Sequence, residues 1–150
     1  MMLGYRNPAQ DAQIFTSDGF FKTGDIGQLL PSQAIVITDR KKDIIIRGGE
    51  NISAREVEEI ILTHPGVLEA AAVSVTHSRL GETVAMFLTL SQGTTVSLEE
   101  LANLCHQSRL AKQKWPQWLE VISKMPKTAS GKIQKSLLRE KLKTKNIILD

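Results

Sequence analysis

The chain has 150 residues, of which 41% are hydrophobic and 23% charged, and a formal net charge of +3, values ordinary for a globular domain. No apolar run approaches the roughly 20 residues that cross a bilayer, and the first residues lack the basic and apolar regions of a signal peptide. The single cysteine, Cys105, excludes an internal disulfide and suits a reducing, cytoplasmic location. Because it follows a helical apolar pattern, we expect a buried thiol.

The first forty residues contain turn signals and short apolar runs. Ile26 to Leu30 and Ile35 to Thr38 predict two short strands around a turn at residues 31–33. We predict no helix here, and the apolar residues are few. Such a segment would be a poor independent domain, so residues 1–41 are interpreted as the end of a larger domain.

Residues 42–150 alternate between strand and helix patterns. Ser53 and Glu56 predict a capping box at the start of a helix that Pro65-Gly66 ends, and Ser97 opens a second helix in the same way. The remaining predicted elements are strands at 43–47, 67–75, 83–90 and 119–122 and a helix at about 136–143. The fold class is therefore α+β, a small mixed or antiparallel sheet flanked by about three helices.

Charge is unevenly distributed. Residues 124–145 contain eight basic residues and one acid, a net +7, whereas the rest has 11 basic and 15 acidic residues, a net −4. A basic segment beside an acidic body suggests an anionic ligand, either a phosphate ester or a nucleic acid, but charge alone indicates a solvated helix face at least as strongly. Nucleic-acid binding would call for aromatic residues among the basic ones, and this segment has none. The three histidines are scattered without metal-ligand spacing, so no metal site is predicted.

The most informative segment is Pro-Lys-Thr-Ala-Ser-Gly-Lys-Ile at residues 126–133. A Ser-Gly-Lys turn lets the backbone approach an anion while Lys132 supplies a mobile positive charge. It is not a P-loop, because the position five residues before Gly131 is Pro126 rather than glycine. By itself, the turn is more typical of a solvated surface loop.

Three further segments carry polar chemistry. Asp25, in Lys-Thr-Gly-Asp-Ile-Gly, is a carboxylate at a strand start that could accept hydrogen bonds from ribose hydroxyls. Residues 38–43 form a charged cluster, Thr-Asp-Arg-Lys-Lys-Asp, between apolar strands. Residues 47–53, Arg-Gly-Gly-Glu-Asn-Ile-Ser, predict a glycine turn that leads straight into a helix and could lie close against a ligand.

These four motifs, in this order and spacing, resemble the late motifs of the adenylate-forming superfamily, which includes acyl-CoA synthetases, nonribosomal adenylation domains and beetle luciferases. The likeness covers essentially the whole chain. The segments Arg-Gly-Gly-Glu-Asn-Ile and Gly-Lys-Ile-Gln-Lys are most similar to the corresponding motifs of bacterial short- or medium-chain fatty-acyl-CoA ligases. The resemblance implies an acid–thiol ligase in the full-length parent, which converts a fatty acid, ATP and CoA to acyl-CoA, AMP and pyrophosphate through an acyl-adenylate.

The resemblance also implies a role for each matching residue. Lys132 corresponds to the catalytic adenylation lysine, and Lys42 to the hinge of a C-terminal lid domain, residues 42–150, that rotates between half-reactions. The implied ATP- or AMP-binding residues are Asp25, Arg40, Asn51 and Lys132, and the implied CoA-facing loop is Gly48, Gly49 and Glu50.

ATP, CoA and Mg²⁺ would serve the full-length enzyme, and none is expected to bind tightly to residues 1–150, which we expect to be inactive alone. The exposed 1–41 segment could self-associate. The alternatives are an adenylation domain that loads a carrier protein, a basic nucleic-acid-binding module, and a standalone regulatory or interaction domain.

Overall fold

The computed structural model describes residue 11 and residues 13–150, and the chain divides into two compact units, Met1–Lys42 and Asp43–Asp150. The prediction that no signal peptide occupies the first residues falls outside the described part. In the first unit, Asp11, Gln13 and Ile14 are helical, and the Phe15 N–H donates to the Asp11 carbonyl at 2.9 Å. The expectation that the first forty residues contain no helix is therefore wrong.

The described residues of the first unit also form an isolated bridge between Phe15 and Phe21 and one hairpin. Strand β1 (Asp25–Leu29) pairs antiparallel with β2 (Ile35–Arg40), close to the predicted runs. Large apolar side chains stay exposed along it, including Leu29 at 68%, Ile35 at 70% and Ile37 at 52%. A two-stranded sheet is at best marginally stable by itself, and this one has exposed apolar side chains.

The second unit contains a mixed, mainly antiparallel sheet in the order β4-β3-β6-β5-β8, with β7 parallel to β6. Its strands are β3 (Ile44–Arg47), β4 (Glu50–Ser53), β5 (Val67–His77), β6 (Gly81–Leu90), β7 (Trp118–Val121) and β8 (Ile148–Leu149), and its helices are α1 (Ala54–Ile61), α2 (Leu98–Gln107) and α3 (Lys135–Thr144). The α+β prediction is confirmed.

The long β5–β6 hairpin is buried on both faces. Alternate residues point to opposite sides of a strand, so Met86 joins a cluster with α1 and α2 while Phe87 joins one with Met125 and α3. Both residues have no exposed surface. This arrangement explains why both strands are almost continuously apolar rather than alternating. It places α1 and α2 on one face and α3 on the other.

The Gly48-Gly49 turn differs from its prediction. It does not lead straight into a helix, because it joins β3 to the additional strand β4, with Arg47 opposite Glu50. Both glycines have positive φ, 57° and 88°, which is the backbone that a two-residue hairpin of type I′ requires. Similarly, Asp43 does not begin a strand, since it ends a 3₁₀ turn at Lys41–Asp43.

The two predicted helix caps have different outcomes. At Ser97 the capping box is complete, with Glu100 and Ser97 each binding the other's backbone N–H. At Ser53 the serine hydroxyl accepts from the Glu56 N–H at 3.2 Å, but the Glu56 carboxylate accepts two hydrogen bonds from Lys114 at 2.7 and 3.0 Å. Glu56 therefore ties α1 to the segment after α2.

Cys105 is fully buried on α2, as expected, and desolvation raises the pKa of its thiol from 9.0 to about 11. Two pKa units mean about 100-fold less thiolate near pH 8. We therefore predict that iodoacetamide labels the native protein at least about 100-fold more slowly than the guanidinium-unfolded protein. Mass spectrometry of timed samples measures both rates. Native labelling within minutes would contradict a buried, inert thiol.

Candidate functional site

Lys132 lies in a small hairpin that closes on itself. Lys127 and Ile133 form its antiparallel bridge. The Thr128 N–H donates to the Lys132 carbonyl at 2.8 Å, and the Lys132 N–H donates to the Thr128 hydroxyl at 3.2 Å. Gly131 has a φ of +83°, a left-handed conformation that glycine adopts without steric cost. The backbone of this "lysine hairpin", residues 126–134, is thus defined by its own hydrogen bonds.

The base of the lysine hairpin is anchored to the body of the second unit. Met125, just before it, is 1% exposed, and Ile133 packs on the same cluster as Phe87. The Lys127 ammonium group lies 2.5 Å from Glu69 at the start of β5. The base is therefore fixed by burial and by charge, while the turn projects outward.

The side chain of Lys132 itself is exposed. Across residue 11 and residues 13–150, no hydrogen bond or ion pair engages its ammonium group. A compact ammonium on four rotatable bonds can reach an anion from such a position. The geometry consequently presents a mobile cation on a fixed support.

The Gly48-Gly49 turn is a second exposed feature. The Gly48 N–H donates to the Leu80 carbonyl at 2.8 Å, and Arg47 pairs with Gly81, so the turn lies beside the β5–β6 connection. Glu50 and Asn51 follow on β4 with exposed side chains. A polar ligand could approach the backbone closely here, because neither glycine carries a side chain.

The lysine hairpin and the Gly48-Gly49 turn lie at opposite ends of the β5–β6 hairpin. The lysine hairpin is tied to Glu69, near the start of β5, whereas the glycine turn adjoins Gly81, which pairs with His77 at the end of β5. Eight residues of extended strand separate Glu69 from His77, about 27 Å. The structure therefore does not bring Lys132 together with the predicted CoA-facing loop.

In the first unit, Asp25 and Arg40 do come together. They are paired across the hairpin, and the Arg40 Nε donates to the Asp25 Oδ1 at 2.7 Å. Asp25 is at the start of β1, as predicted, and Arg40 at the end of β2, with the side chain of Arg40 64% exposed. The arginine orients one carboxylate oxygen. Lys42 is the last residue of this unit.

The basic segment at residues 124–145 is largely neutralised within its own unit. Five of its eight cations form ion pairs with carboxylates of the acidic body, and the paired cations are Lys127, Lys135, Arg139, Lys141 and Lys145. Glu120 binds two of them. Burial alone would raise its carboxyl pKa, but the hydrogen bonds and charges of its two lysines hold that pKa below the usual value. The charge asymmetry of the sequence is thus mainly an internal arrangement.

No group of three or more histidine, cysteine or acidic residues in the described part of the chain is placed to hold a metal ion. The helices of residues 11 and 13–150 are also all too short or too polar to cross a membrane.

The profile of the AMP-binding enzyme C-terminal domain family matches residues 56–132, which is just over half of the chain. The chain belongs to this family. The match ends at Lys132, so it includes the turn of the lysine hairpin.

Curated relatives extend the likeness to nearly the whole chain. The medium-chain fatty-acid–CoA ligase of Escherichia coli K12 is 43% identical over 142 residues, 93% of this chain and 25% of the relative. The 2-methylpropanoate–CoA ligase CCL4 of Humulus lupulus is 41% identical over 143 residues. The chain thus spans about a quarter of the length of these relatives.

Solved structures agree with the fold. The crystal structure of ATP-bound MatB from Rhodopseudomonas palustris matches with a TM-score of 0.83 and 34% identity, covering 92% of this chain and 27% of MatB. That MatB structure contains ATP. ATP is also the nucleotide that the resemblance of the four motifs implies.

Gly131 allows a direct test of the hairpin geometry. A Cβ at this position would meet no atom within 4 Å, so any cost of substitution is backbone strain rather than a clash. We predict that Gly131→Ala lowers the free energy of unfolding by about 1 kcal/mol, and Gly131→Asn by less, because asparagine tolerates positive φ better. Urea denaturation measures both. Equal effects, or none, would contradict the left-handed turn.

Proposed function

We propose that this chain is the C-terminal part of an AMP-forming acyl-CoA synthetase, and that Lys132 supplies its adenylation charge. The observation that carries the proposal is the exposed cation on an anchored hairpin, within a chain that belongs to the AMP-binding enzyme C-terminal domain family. The ligase names of the relatives that match over 90% of the chain support the acid–thiol chemistry.

In the first half-reaction, a carboxylate oxygen attacks the α-phosphorus of ATP, a new O–P bond forms and pyrophosphate leaves. Two anions must approach each other, so a cation that contacts both lowers the barrier by positioning and charge stabilisation. The ammonium group of Lys132 is suited to this role, since it is exposed and the hairpin beneath it is fixed.

Asp25 and Arg40 are proposed to bind the nucleotide. Arg40 donates to Asp25 and holds this carboxylate at the start of β1, where we propose that it accepts hydrogen bonds from the ribose hydroxyls. Arg40 is 64% exposed, and a guanidinium group suits a phosphate by charge and shape, so we propose that it contacts a phosphate of the nucleotide. Asn51, exposed on β4, is the weaker candidate for a contact with the adenylate.

In the second half-reaction, the thiolate of CoA attacks the acyl carbon, a C–S bond forms and AMP leaves. We assign Gly48, Gly49 and Glu50 to the CoA side and Lys42 to the hinge. Two observations support this: the glycine turn lies about 27 Å along β5 from the anchor of the lysine hairpin, and the boundary between the two units follows Lys42. Two ends of one rigid lid can thus serve successive steps.

Residues 1–41 are proposed to belong to a large ATP- and acyl-binding domain, and residues 42–150 to form the lid. The exposed apolar side chains of the β1–β2 hairpin support the first part, because they require a cover. In a polypeptide of residues 1–150 alone, we expect the same surface to associate with another copy.

ATP, a carboxylic acid and CoA are the proposed substrates. We assign Mg²⁺ to other parts of the enzyme, since the described residues offer no cluster of carboxylates for it. A cytoplasmic location is proposed because the chemistry needs ATP and a reduced thiol. The proposed acceptor is CoA rather than a carrier protein, and nucleic-acid binding is disfavoured because most of the basic segment is paired.

The role of Lys132 predicts an asymmetric loss in the complete polypeptide that carries this chain. With Lys132→Ala, ATP–pyrophosphate exchange should fall about 100- to 1,000-fold, because the transition-state charge loses its partner. Acyl-CoA formation from chemically prepared acyl-adenylate should stay within about threefold. Both assays use the acid that gives the fastest ATP–pyrophosphate exchange in a panel of straight-chain acids from butyrate to dodecanoate, with benzoate added.

Lys143→Ala is the matched control, since Lys143 is an exposed lysine on α3 outside the lysine hairpin. It should leave both half-reactions unchanged. Comparable losses of both half-reactions in Lys132→Ala would contradict the adenylation role. Transfer to a phosphopantetheinyl carrier protein but not to CoA would favour the adenylation-domain alternative.

A further inference from the structure

Two ion pairs in the second unit are less exposed than the others. The Lys135 ammonium group lies 2.7 Å from Glu58 Oε1, with the side chains 16% and 15% exposed. Arg139 Nη2 lies 2.6 Å from Asp43 Oδ1, with the side chains 24% and 21% exposed. In six other ion pairs, among them Lys127–Glu69 and Lys141–Glu120, at least one partner is more than a quarter exposed. Surface pairs contribute little, whereas loss of one partner from a shielded pair leaves an uncompensated charge.

The two pairs form one cluster. Lys135 and Arg139 are four residues apart on α3, so their side chains lie on the same face of the helix. Their carboxylate partners are close enough to repel each other. Burial raises the pKa of Glu58 despite the opposing effect of Lys135, and the charge of Asp43 raises it further. One face of α3 thus places two cations against two carboxylates from other elements.

Glu58 connects three elements. It lies on α1, its Oε1 accepts the Ala72 N–H of β5 at 2.6 Å, and the same oxygen accepts from Lys135 on α3. The Ala72 N–H is on the edge of β5 away from β6, so Glu58 covers a part of that edge that β8 does not reach. Removal of either charge would consequently disturb the junction of α1, β5 and α3.

The start of α3 depends on this junction. Lys135 is its first residue, and Gln134 makes no side-chain cap to the helix. A cation at the positive end of a helix is unfavourable, since the peptide dipoles repel it. Glu58 supplies the negative charge that the helix start lacks. The Gln134 N–H also donates to the Pro126 carbonyl at 2.8 Å, which connects this start directly to the lysine hairpin.

The cluster lies between two functionally important positions. Lys135 follows Lys132 by three residues, and Asp43 directly follows Lys42, where the boundary between the units falls. We propose that Lys135 and Arg139 are positioning residues, which fix the lysine hairpin in orientation relative to Asp43 through their pairs with Glu58 and Asp43. This inference rests on the proposed function of Lys132. Neither residue touches the reacting atoms.

Lys135→Met and Arg139→Met test the proposal in the complete polypeptide, because methionine keeps much of the side-chain volume and removes the charge. ATP–pyrophosphate exchange with the fastest acid of the panel should lose about 10-fold in kcat with little change in the KM for ATP. Acyl-CoA formation from prepared acyl-adenylate should stay within about twofold. Amide hydrogen exchange of residues 126–134 should accelerate several-fold, a result that needs no catalytic activity.

A double-mutant cycle separates positioning from general destabilisation. In a Lys132→Ala background, Lys135→Met should cause no further loss of ATP–pyrophosphate exchange, since the effect of Lys135 on adenylation acts through Lys132. Lys135→Arg and Arg139→Lys, which keep the charges, should restore most of the rate. Lys145→Met is the matched control, because Lys145 pairs with Glu120 after the far end of α3 and Glu120 retains Lys141. Lys145→Met should change neither the rate of ATP–pyrophosphate exchange nor the amide hydrogen exchange of residues 126–134.

Equal losses in both half-reactions, additive losses with Lys132→Ala, or unchanged amide exchange of residues 126–134 would each overturn the proposal. If Lys135→Met does not fold, the charge-preserving variants Lys135→Arg and Arg139→Lys are used instead. A tenfold loss of ATP–pyrophosphate exchange in these folded variants would also overturn the proposal. A Lys132→Ala enzyme with undiminished adenylation would refute the proposed function instead, while the amide exchange would still decide whether the hairpin is held by the cluster.

Discussion

The ion pairs between the basic C-terminal segment and the acidic body are the interaction on which the proposed placement of the lysine hairpin depends. Lys127, Lys135 and Arg139 attach the lysine hairpin and α3 to β5, α1 and the 3₁₀ turn at the start of the unit. The segment carries a net charge of +7, and its apolar residues Met125, Leu138 and Leu142 are buried against the body, while the ion pairs fix where its charged side chains lie. Their pairing leaves Lys132 as an exposed cation on a fixed support.

The β5–β6 hairpin provides the length over which two activities can be separated. Its two strands are buried on both faces, so they form a rigid connection between the anchor of the lysine hairpin and the Gly48-Gly49 turn. In the proposed lid, a cation at one end and a glycine turn at the other could be presented in successive steps. This arrangement agrees with the proposed two-step chemistry, in which the charge that forms the adenylate is not needed for thioester formation.

Much of the fold is predictable because local and global signals agree. The two long apolar runs, the complete capping box at Ser97 and the final amphipathic helix are all present close to their predicted positions. Strand β4 is not predictable from local signals, because Ser53 signals a helix start and the two glycines before it indicate a turn that leads directly into that helix. Strand β8 has two residues and exists through its pairing with β5, which no local pattern encodes.

The candidate site is predictable in its residues but not in its arrangement. The motifs single out Asp25, Arg40 and Lys132, yet the 2.7 Å pair between the first two depends on strand register. The spacing of Lys135 and Arg139 indicates a cationic stripe on a helix. Their partners are far away in the sequence, and only the packing of α1 and α3 around β5 brings them together.

The most direct test of the central claim is a chimera in which this chain replaces the matching quarter of the Escherichia coli medium-chain fatty-acid–CoA ligase. With octanoate as the acid, we expect ATP–pyrophosphate exchange and octanoyl-CoA formation, and we expect Lys132→Ala to abolish the exchange while octanoyl-CoA still forms from prepared octanoyl-adenylate. Cooperative unfolding on heating shows that the chimera is folded. A folded chimera that exchanges no pyrophosphate would contradict the account, and so would pyrophosphate exchange that does not depend on Lys132.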